Sequence, residues 1–215
     1  MSSEKHFPIV KEGFIFIGIS GVLTLAAALF FGWPAAVVPG LLTFFCIWFF
    51  RDPRRVVPQG ENLLVSPADG KVVDVSRMEE LRFLQKPAIK ISIFLNVFNV
   101  HVNRSPVAGK VVGMFYNVGR FFAANAPKAS LENEQNAVVL ETPSGKRVVC
   151  IQIAGLIARR IVCWIKEGSV MARGERFGLI RFGSRVDLFL PIETEVLVSE
   201  GDHVKGGETI LGVLR

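Results

Sequence analysis

The sequence is poor in the residues that build metal and disulfide sites. Its three cysteines, Cys46, Cys150 and Cys163, form no close pair and show no metal-ligand spacing. That argues against a disulfide framework or a zinc site and fits reduced, buried thiols in a cytoplasmic domain. The three histidines, His6, His101 and His203, are too scattered to suggest metal binding. No phosphate-cradling glycine loop occurs, and Phe182-Gly183-Ser184-Arg185 lacks the Gly-x-Ser-x-Gly elbow of a serine hydrolase. The net charge of +6 arises from 25 Lys and Arg against 19 Asp and Glu, without a long basic run. Nucleic acid is therefore a poor partner, and an anionic lipid surface a better one.

The most telling absence is charge in one stretch: residues 13 to 50 contain no Asp, Glu, Lys, Arg or His. As one helix they would be about 57 Å long, against a hydrocarbon core of about 30 Å, so the run must fold back. Gly32-Trp33-Pro34 interrupts it, predicting two apolar helices, Phe14 to Phe31 and Ala35 to Phe50, the second kinked at Pro39-Gly40. Lys5 and Lys11 precede the first, and Arg51, Arg54 and Arg55 follow the second. The positive-inside bias then puts both ends, and the rest of the chain, on the cytoplasmic face of the cell membrane. A cleaved signal peptide ending near Ala26-Ala27-Ala28 competes, but apolar sequence continues long past that point. With 50% hydrophobic residues, the composition also calls for membrane contact.

From Asn62 onward the pattern changes to short β-rich runs separated by Gly, Pro and Asn. They are Lys71 to Val75, Ala88 to Leu95, Val107 to Phe115, Ala137 to Glu141, Lys146 to Ile153, Arg160 to Ile165 and Arg176 to Phe182. A mainly β (α+β) domain over residues 59–215 is expected after a helical hairpin over residues 1–58. The run Glu195 to Glu208 resembles the closing turn of biotinyl and lipoyl carrier domains, which implies hybrid β elements of that kind. The hairpin that would present a modified lysine is missing, so this turn reads as scaffold with His203 exposed.

Phe177 to Pro191 reads as an apolar strand pair with Gly183-Ser184 at its centre. Glycine leaves the Gly183 carbonyl unshielded, and the Ser184 hydroxyl lies one residue downstream, able to attack it. An N-to-O acyl shift would give an ester. β-Elimination would leave dehydroalanine, and hydrolysis with loss of ammonia would leave a pyruvoyl group on the new chain beginning at 184. The dipeptide alone is a weak signal, since Gly-Ser is an ordinary turn dipeptide and a serine after glycine is usually a loop residue.

Arg51-Asp52-Pro53-Arg54, Ser66-Pro67-Ala68-Asp69-Gly70, Phe94-Leu95 leading to His101, and Phe182-Gly183-Ser184 occur in the order found in phosphatidylserine decarboxylases. Over essentially its whole length the chain resembles the short prokaryotic form of that pyruvoyl-dependent family. The resemblance implies self-cleavage between 183 and 184 into a β chain, 1–183, and an α chain, 184–215, that remain associated. It implies a covalent pyruvoyl cofactor from Ser184, with no metal and no pyridoxal phosphate. Phosphatidylserine would condense with this ketone as a Schiff base and lose CO2 to give phosphatidylethanolamine. A serine-bearing archaeal-type ether lipid is an alternative substrate; a non-enzymatic membrane-anchored lipoyl-like β module is an alternative function. Homo-oligomer formation is left open.

The resemblance assigns catalytic roles to Ser184, His101 and Asp69. It departs from the long forms in two respects: they carry two histidines three residues apart, where Arg104 stands in place of the second, and a threonine after the serine, where this chain has Arg185. Either His101 serves both self-cleavage and decarboxylation, or Asp69 with a bound water assists Ser184. Lys110, Arg120, Lys128, Arg159 and Arg160 are candidates for the lipid phosphate and equally for solvated surface.

Overall fold

The computed structural model describes residues 7–119, 133–155, 160–181 and 183–215. They fall into two compact units, Met1–Arg54 and Arg55–Arg215.

In the first unit a single 3-10 turn, Lys11–Gly13, leads into α1 (Phe14–Phe31), and Gly32 separates it from α2 (Trp33–Phe49). Gly32 has φ +83°, a left-handed conformation that lets the chain turn back without a Cβ penalty. The second helix begins at Trp33 rather than at the expected Ala35. Pro34 is tolerated because the first helical turn needs no intrahelical N–H donor, and the helix continues through Pro39. The two helices fold back on each other: Thr24 Oγ1 lies 3.0 Å from Thr43 Oγ1, and Val10 N–H donates to the Phe50 carbonyl at 3.0 Å. Lys11–Phe31 spans 21 residues with a mean hydropathy of 2.4, long and apolar enough to cross a membrane by length and composition. Leu29, Phe30, Phe31 and Trp33 at the hairpin tip are exposed, an apolar surface that water does not favour.

The second unit is mainly β. Its strands are β1 (Leu63–Val65), β2 (Gly70–Glu80), β3 (Lys86–Leu95), β4 (Val102–Arg104), β5 (Gly109–Asn117), β6 (Gln135–Glu141) and β7 (Arg147–Ala154). They continue with β8 (Ile161–Cys163), β9 (Val170–Met171), β10 (Arg176–Ile180), β11 (Ser184–Pro191), β12 (Glu195–Val196), β13 (His203–Val204) and β14 (Ile210–Val213). Eight form one antiparallel sheet in the order β13-β2-β3-β11-β7-β6-β5-β9, and two three-stranded sheets, β4-β10-β8 and β1-β14-β12, complete the unit. Alternation explains the packing. On β11, Val186, Leu188 and Leu190 face the main core with Ile91, Ile93, Val148 and Cys150, while Phe189 faces a second cluster with Val139, Val149 and Ile151.

The two strands flanking Gly183 do not pair with each other. β10 belongs to the small sheet and β11 to the eight-stranded one, so the Gly-Ser step is a crossing between sheets rather than the turn of a hairpin. β11 is central, paired with β3 on one side and β7 on the other. His203 is exposed, in the short strand β13 opposite Lys71.

Candidate active site

Gly183 has φ +69°, and an added Cβ would meet nothing within 4 Å; glycine is required there by backbone conformation, not by space. Ser184 opens β11 opposite Leu95 of β3 and Ala154 of β7 and is fully buried. Among the described residues its hydroxyl has no hydrogen-bond partner. A buried hydroxyl without a partner costs free energy, and such exceptions are found where chemistry is done. Phe182 lies outside the described residues.

His101 is buried just before β4. Asn96 and Asn99 build the turn that delivers it: Asn99 Oδ1 accepts from Asn96 N–H and Asn96 Oδ1 from Phe98 N–H, each at 2.9 Å. The imidazole Nδ1 is 3.0 Å from the Asn99 carbonyl oxygen, and the His101 carbonyl accepts from Ile180 N–H at 3.3 Å. With Nδ1–H donating to that carbonyl, Nε2 is the basic nitrogen. His101 is thereby tied to the end of β10, and four residues later the chain reaches Ser184.

Asp69 stands elsewhere in the same end of the sheet. Lys71 of β2 pairs with Phe94 of β3, and Leu95 with Ser184, so Asp69, just before β2, stands at the strand beyond β3 from Ser184. Its carboxylate accepts two hydrogen bonds from Arg55 Nη2, at 2.9 and 2.8 Å, and one from Gly206 N–H at 2.8 Å. Arg55 also meets Glu208 at 3.5 Å. His101 is thus held against the end of β10, four residues before Ser184, while Asp69 is committed to Arg55. The link from Asp69 to the His101 strand is its own turn, whose Pro67 carbonyl accepts from Arg104 N–H at 2.9 Å. Arg104 is buried and sends Nη1 to the Gly174 carbonyl at 3.2 Å.

Three groups near the site had escaped the sequence reading. Arg185 and Asp187, two apart on one strand and therefore on one face, form a buried ion pair at 2.9 Å immediately downstream of Ser184. Glu134, buried, accepts from Tyr116 Oη at 2.7 Å, which pushes the tyrosine up to about 12. Gln152, beside Ala154 in β7, carries a buried amide bonded to Asn103 and Asn136. The i, i+2 spacing was a legible signal for the ion pair; the other two depend on contacts across the sheet. Burial and then the Asp187 charge push the Cys150 thiol up, consistent with an inert core cysteine. Among the described residues no group of three metal-ligating side chains occurs.

Of the phosphate candidates, Arg160 is exposed near the site, its carbonyl accepting from Arg181 N–H, whereas Lys110 pairs with Glu141 at the opposite end of the sheet. Arg120, Lys128 and Arg159 lie outside the described residues. A cleft of about 560 Å³ between Asn62, Val107, Thr142, Ser144 and Arg173 is likewise at the end remote from Ser184.

Fold and site together define a mainly β domain with a glycine-serine crossing, its serine buried, at the head of its central strand, preceded by an apolar helical hairpin. The family model for phosphatidylserine decarboxylase matches residues 42–212. Relatives named phosphatidylserine decarboxylase proenzyme include one from Syntrophus aciditrophicus, 53% identical over 95% of this chain and 96% of its own. One from Desulfotalea psychrophila is 49% identical over 97% and 98%, and one from Aromatoleum aromaticum 48% over the whole of both. The chain belongs to the phosphatidylserine decarboxylase family.

Proposed function

We propose that this protein is a self-processing, membrane-associated phosphatidylserine decarboxylase whose pyruvoyl group derives from Ser184. The observation that carries the reading is the pairing of a left-handed Gly183 with a buried, unpartnered Ser184 hydroxyl at a sheet crossing. The residues fit a pyruvoyl group at 184: the neighbours Leu95 and Ala154 are apolar, so a ketone there is shielded from bulk water. That group supplies a carbonyl for the substrate amine and a sink for the electron pair released as CO2 departs.

The chain's own residues do the rest. His101 Nε2 takes the Ser184 hydroxyl proton during cleavage and holds the proton later returned to the substrate carbon. The Asn99 carbonyl fixes its tautomer. Asp69 is a positioning residue, holding Arg55 and the 206 turn against the segment that hydrogen-bonds the His101 strand. The 1–58 hairpin attaches the enzyme to the cytoplasmic face of an anionic membrane, where phosphatidylserine resides. The segment β12–β14 serves as a lipoyl-like closing element without a carrier lysine.

Intact-mass analysis of purified protein tests the reading. Two chains are expected, residues 1–183 and 184–215, the shorter blocked at its amino terminus, and Ser184→Ala should remain one inactive chain. Active enzyme with an intact Gly183-Ser184 bond would refute it.

A further inference from the structure

A chain of three buried amides runs from the large sheet to the small one beneath the Gly-Ser crossing. Asn136 Nδ2 donates to Gln152 Oε1 at 2.8 Å, and Gln152 Nε2 donates to Asn103 Oδ1 at 2.8 Å. Asn103 and Gln152 are fully buried and Asn136 is 3% exposed. The chain ends unspent: among the described residues Asn103 Nδ2 is buried with no acceptor. A primary amide offers two N–H donors, and leaving them unmet in a core is costly unless they serve something else.

The strand register says what lies beside it. Gln152 pairs with Val186 and Ala154 with Ser184, so Gln152 and Ser184 are diagonal neighbours on one face of the sheet. Across from that face, Asn103 meets Gln152, and His101, two residues earlier and just before β4, lies one step nearer the crossing, its carbonyl accepting from Ile180 N–H. The step runs toward Ser184, because Asn103 pairs with Gly178 while the His101 carbonyl meets Ile180 N–H, and the chain climbs from there to 184. Glycine at 178 lets β10 pack closely here: a Cβ there would clash with the Val162 carbonyl oxygen and lie 3.1 Å from Gln152 Nε2. Asn103 therefore sits on the Gln152 rung, diagonal to Ser184, with His101 two residues earlier in its chain, and Gln152 fixes the Asn103 amide by its oxygen.

We propose that Asn103 Nδ2–H stabilises the oxyanion of the acyl shift, a role that rests on the self-cleavage reading above. Ser184 Oγ forms a bond to the Gly183 carbonyl carbon and gives its proton to His101 Nε2, and the carbonyl π pair moves onto oxygen, where Asn103 donates. When the carbonyl reforms, the C–N bond to Ser184 breaks and the nitrogen takes the proton back, leaving an ester and a free amine. A preorganised amide donor in a dry site is suited to this work, and Gln152 and Asn136 act as positioning residues behind it.

The test follows freshly purified, full-length precursor by intact mass, with hydroxylamine to capture the ester and thermal melting to report folding. Asn103→Leu should stay folded and cut about 10² to 10³ more slowly, with less ester captured. Asn103→Asp keeps the acceptor for Gln152 but loses the N–H donor. Its deficit relative to wild type should be large at neutral pH and shrink as pH falls and the carboxyl gains a proton to donate. If Asn103→Asp cuts at the wild-type rate at every pH, Asn103 only supports Gln152 and the proposal is overturned, whether or not Asn103→Leu folds. A wild-type chain that neither cuts nor yields a hydroxylamine-sensitive ester would instead overturn the self-cleavage reading beneath it.

Discussion

His101 is held through Nδ1 by the Asn99 backbone carbonyl, in a turn that the Asn96 and Asn99 side chains build. His101→Ala should slow cutting of Gly183-Ser184 by about 10² to 10⁴, the usual worth of general acid-base assistance, and abolish turnover in the fraction that does mature. Normal maturation with loss of turnover alone, followed by mass and by CO2 release, would separate the two steps and move the base for Ser184 elsewhere. A second prediction concerns the protein's single tyrosine. Tyr116 donates to Glu134, which favours the neutral phenol and raises it from 10.0 to about 12. Tyrosinate absorbance should therefore appear near pH 12, and Glu134→Gln should bring the transition back toward the ordinary value; an unchanged midpoint in that variant would remove Glu134 as the cause. Ser184 and His101 were legible because each stands in a recognisable local motif. Asn103 and Gln152 were not, since neutral amides inside apolar strands look like occasional strand polars until a contact 49 residues apart joins them.

At the scale of elements, cleavage before Ser184 would sever the chain at the head of β11 without touching the ladders that hold it. β11 keeps register with β3 from Arg185 to Pro191 and with β7 from Arg185 to Phe189, and β13 and β14 of the same fragment pair with β2 and β1. The fragment 184–215 should therefore co-purify with 1–183 through size-exclusion chromatography and separate only under denaturing conditions; ready loss of the short chain in native buffer would contradict the placement of β11. The long apolar strands were visible from alternation and β-branched content, whereas β2 runs to Glu80, well beyond the expected Val75. Its polar second half, Ser76 to Glu80, is half solvated and is recruited by pairing with Lys86 to Lys90 of β3, which no local pattern announces. The same holds for β4 and β9, two or three residues long and specified by their partners.

For the whole molecule, the uncharged run of residues 13–50 made the helical hairpin legible, because one helix of that length would far exceed a bilayer's hydrocarbon core and Gly32-Trp33-Pro34 marks the turn. Where the rest begins was harder to read, since Arg54 and Arg55 look alike in sequence as a basic stop after a membrane segment. Arg55 is the one committed to the β unit: its side chain is 7% exposed, pairs with Asp69 and approaches Glu208. The residues after it are gripped too, with Val56 N–H donating to Glu208 at 3.1 Å and Arg173 donating to the Pro58 carbonyl at 2.7 Å. Two truncations then separate membrane attachment from folding. A chain starting at Arg55 should lose its need for detergent, keep its thermal stability and still cut at Gly183-Ser184, because every residue assigned to cleavage lies beyond it. A chain starting at Gln59 should be equally free of detergent but melt lower, since removing Arg55 leaves a mostly buried carboxylate at Asp69 with only the Gly206 N–H. Breaking such a pair from one side costs about 3 kcal/mol when burial is complete, and less here with Asp69 at 14% exposure. Asp69→Asn in the shorter chain removes that stranded charge while keeping an acceptor for Gly206, so it should recover part of the lost melting temperature, whereas in the chain starting at Arg55 the same substitution should lower it. Equal melting of the two truncations, or the same response to Asp69→Asn in both, would mean that the Arg55 pair does not hold this corner of the domain.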